Sequence, residues 1–389
     1  MRWVPLTLLL IGCNKYDMFA IGGFFPGYWP PKADVLFVID NSKSMFEESE
    51  TLALTSGTLA RELDRLEQNV DRGEENAGAF PDYQFSITTL DAGSTRGRLL
   101  GEEAFFGRGD KGLDEAFNKN LLCEATCFPA VLEGRLTEQD LNELCGDDRW
   151  RNNCGGDVEE GLETVFLAMC RAVPIPPVEC FDIPELFNDG DVMANEGLLR
   201  KDSVFIPIII TDEGDASRRM TQLDIPPTVY NRLFKRFDKQ MAWAVLGPSL
   251  ADDREPRCPS VATSWGVLRY SYITQTTGGL SLDIHAPTCQ PGDFEDAFSQ
   301  IANLIGGRSH AFPLRGPAIE STIVVTVDKQ VVPPMGQQRI DQFGFPVSGD
   351  GWRYDDTPPT VILSGEYSPE PSQEVRVYYK PLDEDGEEG

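Results

Sequence analysis

The segment Asp34-Val-Leu-Phe-Val-Ile-Asp40 constrains this chain more than any other. Five consecutive apolar residues between two acids are the pattern of a strand covered on both faces, which belongs to parallel sheets flanked by helices. Leu52, Leu59, Leu63, Leu66 and Val70 then recur at helical spacing, so strand leads into an amphipathic helix. The alternation continues. Residues 83–90 read as a second strand and 96–100 as a short edge strand closing a hairpin with it. Leu162, Val165, Phe166 and Met169 mark another amphipathic helix. Residues 204–211 are a strongly apolar strand, followed after Pro226 and Pro227 by a helix using Val229, Tyr230, Leu233, Phe234 and Phe237. A strand at 241–246, a helix at 271–276 stopped by Gly278-Gly279, a strand at 280–284 and a helix at 294–305 complete the series. The predicted fold is α/β, a doubly wound, mostly parallel, Rossmann-like sheet. Pro207 sits inside the strand at 204–211, where it requires a bulge or an unpaired edge segment.

Other stretches depart from this rhythm. Residues 102–153 are Gly-rich and cysteine-bearing and read as an insertion, stapled because its own core is small. Residues 172–200, with Pro174, Pro176, Pro177 and Pro184, read as loop. Beyond the α/β unit, at 313–382, short β-prone runs at 323–327, 360–363 and 375–379 have no helix signal between them. They predict a separate small all-β domain. Residues 383–389 hold five acids in seven positions and read as a solvated tail, since no glycine-turned loop organises a calcium site there.

At the other end, Arg2 precedes a run from Trp3 to Gly12 that is too brief for a spanning helix and reads as a signal peptide, residues 1–12. Leu10-Ile11-Gly12-Cys13 resembles a bacterial lipobox, which implies cleavage before Cys13 and its lipidation. Asn14 after the cysteine, in that resemblance, implies export to the outer membrane of a Gram-negative envelope. The acyl chains would anchor the protein without any transmembrane helix. Residues 13–33, with glycines, prolines and aromatics, read as a lipidated tether to a domain at 34–307.

The remaining cysteines agree with export. Cys123, Cys127, Cys145, Cys154, Cys170, Cys180, Cys258 and Cys289 form an even set without paired CxxC spacing or nearby histidines. Disulfides are therefore favoured over zinc, with the pairing left open. The 34 Lys and Arg against 63 Asp and Glu leave a net charge of −29, which argues against nucleic acid and anionic surfaces as partners. Two histidines, His285 and His310, leave little room for histidine metal sites or hydrolase triads.

The chemistry gathers at the carboxyl ends of the predicted strands, where open α/β sheets bind ligands. Asp40-Asn41-Ser42-Lys43-Ser44 follows the first strand, Gly155-Gly156-Asp157 precedes the helix after the insertion, and Thr211-Asp212-Glu213 ends the apolar strand. Short Ser and Asp side chains offer hard oxygen ligands suited to Mg²⁺, or to Mn²⁺ or Ca²⁺. Glu213 and Asp215 read as a solvated rim. These three loops resemble the metal-ion-dependent adhesion site of the von Willebrand factor A domain. The family's pattern is Asp-x-Ser-x-Ser, then Thr or Asp after paired glycines, then Asp after a later strand. The resemblance spans about residues 33–307 and extends to the Gly278-Gly279 turn. By position it implies that Ser42 and Ser44 bind the ion directly, Asp40 and Asp212 directly or through water, and that Asp157 fills the Thr-or-Asp place.

Mg²⁺ dehydrates reluctantly and keeps an open position that a carboxylate can fill. The expected function is thus an envelope-anchored binding or adhesion lipoprotein whose ion captures an Asp or Glu of a protein partner. The alternative is a structural lipoprotein in which the ion only pins the loops. A metal-assisted hydrolase ranks third, because Ser42 or Ser44 lacks a base and neither histidine is close in sequence. No enzyme activity and no small-molecule substrate are expected.

Overall fold

Residues 34–39 do form a strand covered on both faces. β1 (Lys32–Ile39) pairs in parallel with β2 (Asp82–Thr89) on one side and β4 (Ser203–Ile210) on the other. The protein is seen in a computed structural model that describes residues 32–382 except 56, 72–80, 102, 109, 111–112, 128–136, 147–149, 151–152, 156–157, 218–226, 251–257, 259–263, 286–288, 290–293, 307–310, 315–316, 337–338, 341–345, 348–349, 357–358, 365–366, 368–374 and 381. The signal peptide, Cys13, most of the tether, Asp157, His310 and the acidic tail lie outside the described residues.

The central sheet has six strands in the order β3-β2-β1-β4-β5-β6. β5 (Ala244–Gly247) and β6 (Leu280–Asp283) extend it in parallel, and only β3 (Phe106–Gly107) runs antiparallel, against β2. The sheet alternation divides the core in two. Val35, Phe37 and Ile39 face α1 (Phe46–Thr55), α2 (Gly57–Asp71), α3 (Leu113–Glu124) and α8 (Phe294–Ile305). Leu36 and Val38 face α5 (Gly161–Cys170), α6 (Pro227–Lys235) and α7 (Ser264–Thr277). Helices thus cover both faces of a mostly parallel sheet.

Several local expectations change; the helix expected at 271–276 starts earlier, at Ser264, and the strand expected at 241–246 is 244–247 with Met241 only in an isolated bridge. The helix after β1 is two helices, with Leu52 on α1 and Leu59, Leu63 and Leu66 on α2. The edge strand is 106–107 rather than 96–100, because Arg96 (φ 56°) and Gly97 (φ 71°) turn the chain left-handed; Leu100 N still bonds Ile87 O at 2.9 Å. Helix α5 is buried all round rather than amphipathic. The loop at 171–200 packs over it, Asn195 donating to the Ala168 carbonyl at 3.2 Å. Pro207 occupies a central strand with no bulge. Phe205 N bonds Gln240 O, so alternate residues, Pro207 included, turn their amide position toward β5. The Phe205–Met241 bridge and the Ile208–Ala244 pair share one register, so Pro207 faces Trp243, and its missing N–H leaves the ladder interrupted at Ala242 and Trp243.

Within 102–153, α3 sends Phe117 and Leu121 into the main core. Leu122, Cys123, Leu141, Cys145 and Trp150 form a small core of their own with α4 (Glu138–Cys145). The pairs are Cys123–Cys145, Cys127–Cys154, Cys170–Cys180 and Cys258–Cys289. Four disulfides mark an extracytoplasmic protein. Among the described residues no helix is long and apolar enough to cross a membrane. Labelling of the denatured, unreduced protein is expected to find none of these eight cysteines as a thiol, and eight reactive sites would contradict the pairing.

From Ala311 the chain is antiparallel β. Among the described residues β10 (Arg339–Ile340) pairs only with β11 (Pro346–Val347), whereas β7 (Ala311–Pro313), β12 (Gly351–Asp356) and β13 (Pro359–Ser364) form one three-stranded sheet, and β8 (Val324–Val327), β9 (Gln330–Val332) and β14 (Val375–Tyr378) another. Both contribute to a separate core that includes Val325, Trp352, Val361 and Val377. Arg353 bonds the carbonyls of Gln275 and Thr276 at the end of α7, and Lys235 pairs with Asp355 at 2.5 Å, tying this region to the α/β body.

Candidate metal centre

β1 and β4 end side by side, and their first loop residues meet. The Asp40 amide bonds the Ile210 carbonyl at 2.9 Å, which fixes the Asp40–Ser44 loop against the 211–217 loop. Asp40, 1% exposed, accepts from the Ser42 amide at 2.8 Å and from the Thr211 hydroxyl at 2.6 Å. The Ser42 and Ser44 hydroxyls lie 2.7 Å apart, and Ser44 Oγ donates to Asp212 Oδ1 at 3.2 Å. Residues separated by 168 positions are therefore in direct contact. The structure brings Asp40, Ser42, Ser44 and Asp212 together, as their spacing predicted. Asp157 lies outside the described residues, but its neighbours reach the same place: Gly155 N bonds Asn41 O at 2.8 Å and Ala216 N bonds Glu159 O at 2.7 Å.

The electrostatics are those of unmet negative charge. Burial, followed by the charges of Asp40, Glu48 and Glu213, pushes the Asp212 carboxyl up to about 7 against the pull of the Ser44 hydroxyl. Burial also raises Asp40, opposed by its bonds from Thr211 and Ser42. Glu159, buried beside them, is driven well above the carboxylate range by burial first, then by its hydrogen bond with Glu213 and the charge of Asp40. Among the described residues no three His, Cys, Asp or Glu side chains converge as a metal-ligating group. What converges is a mixed set of two carboxylates and the hydroxyls of Ser42 and Ser44, all hard oxygen donors. That set fits Mg²⁺, Mn²⁺ or Ca²⁺ and does not fit a soft transition metal.

Sequence reading missed several members. Thr211 is named only as the start of its loop, Glu159 and Glu48 are close neighbours of named residues in sequence, and Glu48 lies four residues after Ser44 in the first turn of α1, so spacing alone carried a signal for them. Asp215 is not a rim residue. Its side chain is fully buried and pairs with Arg269 Nε at 3.0 Å, while Oδ1 accepts from Leu162 N at 3.1 Å at the start of α5. His285 rests with Nε2 3.7 Å from Glu48 Oε1, and burial lowers its pKa.

No family model matches this chain, and no curated protein does. Solved structures similar to it include a von Willebrand factor type A protein from Catenulispora acidiphila (13% identity, 90% of this chain, 57% of that one, TM-score 0.36). The pilus adhesin SpaC from Lactobacillus rhamnosus GG is another (12%, 90% and 39%, TM-score 0.34). A third is the human COPII-coat protein Sec24c (11%, 92% and 41%, TM-score 0.34). The chain spans about half the length of these proteins or less, apart from the 57% of the first. Likeness at this level assigns neither family nor partner, and the reading of the site rests on its own geometry.

Proposed function

We propose that this chain is a cell-envelope binding lipoprotein, anchored through Cys13. In this reading a von Willebrand factor A-type site of Asp40, Ser42, Ser44, Asp157 and Asp212 holds Mg²⁺ and captures an Asp or Glu of a protein partner. One observation carries the proposal: the contact of Ser42, Ser44 and Asp212 across the ends of two adjacent parallel strands, with Asp40 buried beneath. A divalent ion there neutralises carboxylates that burial and mutual repulsion now disfavour, and short side chains leave part of its coordination sphere to water. A partner carboxylate replaces one such water. Because the chain is strongly acidic, the ion is what makes an acidic partner group attractive at this edge. The Ser42 and Ser44 hydroxyls are engaged with each other and with Asp212, and His285 lies against Glu48, an arrangement that suits ligation better than nucleophilic catalysis.

A second reading has its own support. Both Asp40 oxygens are already satisfied within the fold, so an ion can serve simply to pin the loops. A pull-down from envelope extract with Mg²⁺, with chelator, and with Asp40→Ala separates the two. The adhesion reading expects retention of a partner only by wild type with Mg²⁺. Retention that survives both chelation and Asp40→Ala in folded protein would overturn it in favour of the structural role.

A further inference from the structure

Asn41 lies between Asp40 and Ser42, in the variable position of the loop, yet it is 7% exposed and held from two directions. Its carbonyl accepts from Gly155 N at 2.8 Å, and its side-chain Nδ2 donates to the Asn153 carbonyl at 2.6 Å. Asn153 and Gly155 flank Cys154, which is bonded to Cys127. Asn153 turns its own amide to the Cys123 carbonyl at 2.5 Å, at the end of α3. Gly155 permits this approach, since a Cβ there would lie 2.5 Å from Asn41 Oδ1 and the Asn41 side chain would have to shift. Helix α3 is in turn fixed on the sheet, its Phe117 ring 4.8 Å from Phe37 of β1, the strand that delivers Asp40.

We infer that the disulfide-bearing insertion is part of the metal site's construction, with Asn41 as the positioning residue through which the Cys127–Cys154 bridge sets the geometry of Asp40 and Ser42. The inference rests on the metal reading proposed above and adds to it a reason for the insertion. The backbone bond from Gly155 is open to any residue at position 41. The bond to the half-buried Asn153 carbonyl needs a donor of this length, and without one that carbonyl loses its tie to the Asp40–Ser44 loop. Two loops that meet an ion must hold its oxygens to a fraction of an ångström; partners bonded directly to ligands are worth about tenfold to a hundredfold in metal affinity, and Asn41, one residue from Asp40 and from Ser42, acts on both through the backbone.

The test is a double-mutant cycle on Mn²⁺ affinity, measured by calorimetry on the oxidised full chain. The variants are Asn41→Ala, the pair Cys127→Ser with Cys154→Ser, and all three changes together. Asn41→Ala is expected to weaken Mn²⁺ at least tenfold while the melting temperature of the metal-free protein moves little. The cysteine pair should weaken it comparably. The triple variant should be no weaker than the worse of the two, because both changes release the same segment. Cys170→Ser with Cys180→Ser, which opens the bridge at the far end of α5, should leave Mn²⁺ affinity within twofold. If the cysteine variant does not fold, Asn153→Ala takes its place in the cycle. Wild-type affinity in Asn41→Ala, or losses that multiply in the triple variant, would overturn the inference while leaving the metal reading intact. Absence of Mn²⁺ binding by wild type would overturn both.

Discussion

Arg269→Met is expected to lower the unfolding free energy by about 3–5 kcal/mol, because it leaves a buried carboxylate without its counter-charge. The Arg269 side chain is 1% exposed and that of Asp215 is fully buried. Besides the 3.0 Å ion pair, the guanidinium donates to the Asp215 carbonyl at 3.3 Å and the Ser217 carbonyl at 3.0 Å, so it closes the 211–217 loop onto α7. Asp215 in turn accepts from Leu162 N and from the Ser217 hydroxyl at 2.6 Å, and Ser217 Oγ accepts from Glu163 N at 2.9 Å. One buried pair thereby joins the loop that carries Asp212 to the first turn of α5. Burial raises the Asp215 carboxyl and Arg269 lowers it, so losing the arginine frees the carboxyl to take up a proton. The loss should accordingly shrink at acid pH. Adding Asp215→Asn to Arg269→Met should recover part of the stability, since an amide costs less to bury unpaired than a charge. Urea unfolding of the two variants checks this, and an unchanged midpoint for Arg269→Met would show that the pair is not what holds the loop.

The extent to which this site was legible in the sequence follows from the range of the interactions. β1, β4 and α8 were readable because both-face burial and a 3.6-residue apolar period are local patterns, and α8 has the predicted bounds of 294–305. Asp40, Ser42, Ser44 and Asp212 were readable because strand ends put them at one edge. Asp215 was misread because its partner stands in the middle of α7, 54 positions on, and a single Arg in a helix carries no sign of what it faces. Asn41 was passed over for the same reason, its partner lying in the insertion 112 positions away. The small edge strand went to 96–100 instead of 106–107 because two left-handed residues in a row are not signalled by Arg-Gly. Pro207 is expected to bring a bulge or an unpaired segment, and pairing does lapse there on the β5 side, while the β1 side, which asks nothing of its amide, stays in register.

The metal-free protein is expected to lose stability as pH rises from about 5 to about 8, and Mg²⁺ should remove most of that loss. The Asp212 carboxyl stands at about 7 in the folded chain against an ordinary 3.8. The folded state therefore holds its proton more tightly than the unfolded state does. Stability is fullest below pH 3.8 on this account and declines as pH climbs through the interval up to about 7. A shift of this size corresponds to roughly 4 kcal/mol, at about 1.4 kcal/mol for each pH unit. Glu159 and Asp40 are raised as well and act with the same sign. Asp191 is shifted the other way: burial would raise it, but bonds from the Asn188 amide and Arg98 and the nearby Arg171 charge outweigh that and lower it. Its contribution is lost only as pH falls below 3.8, outside the interval. A divalent ion supplies the positive charge that the proton otherwise provides. It competes with the proton, binds better near pH 8 than near pH 5, and at a free concentration a hundredfold above its dissociation constant stabilises by about 2.7 kcal/mol. Asp212→Asn removes one titrating group and one ligand together, so it should make the apo profile shallower, with Glu159 and Asp40 still contributing, raise apo stability near pH 8 and abolish the Mg²⁺ response. Thermal melts of both proteins at the two pH values, with and without saturating Mg²⁺, decide the matter. Wild-type curves that rise with pH, or an Mg²⁺ shift that survives Asp212→Asn, would remove Asp212 from the site.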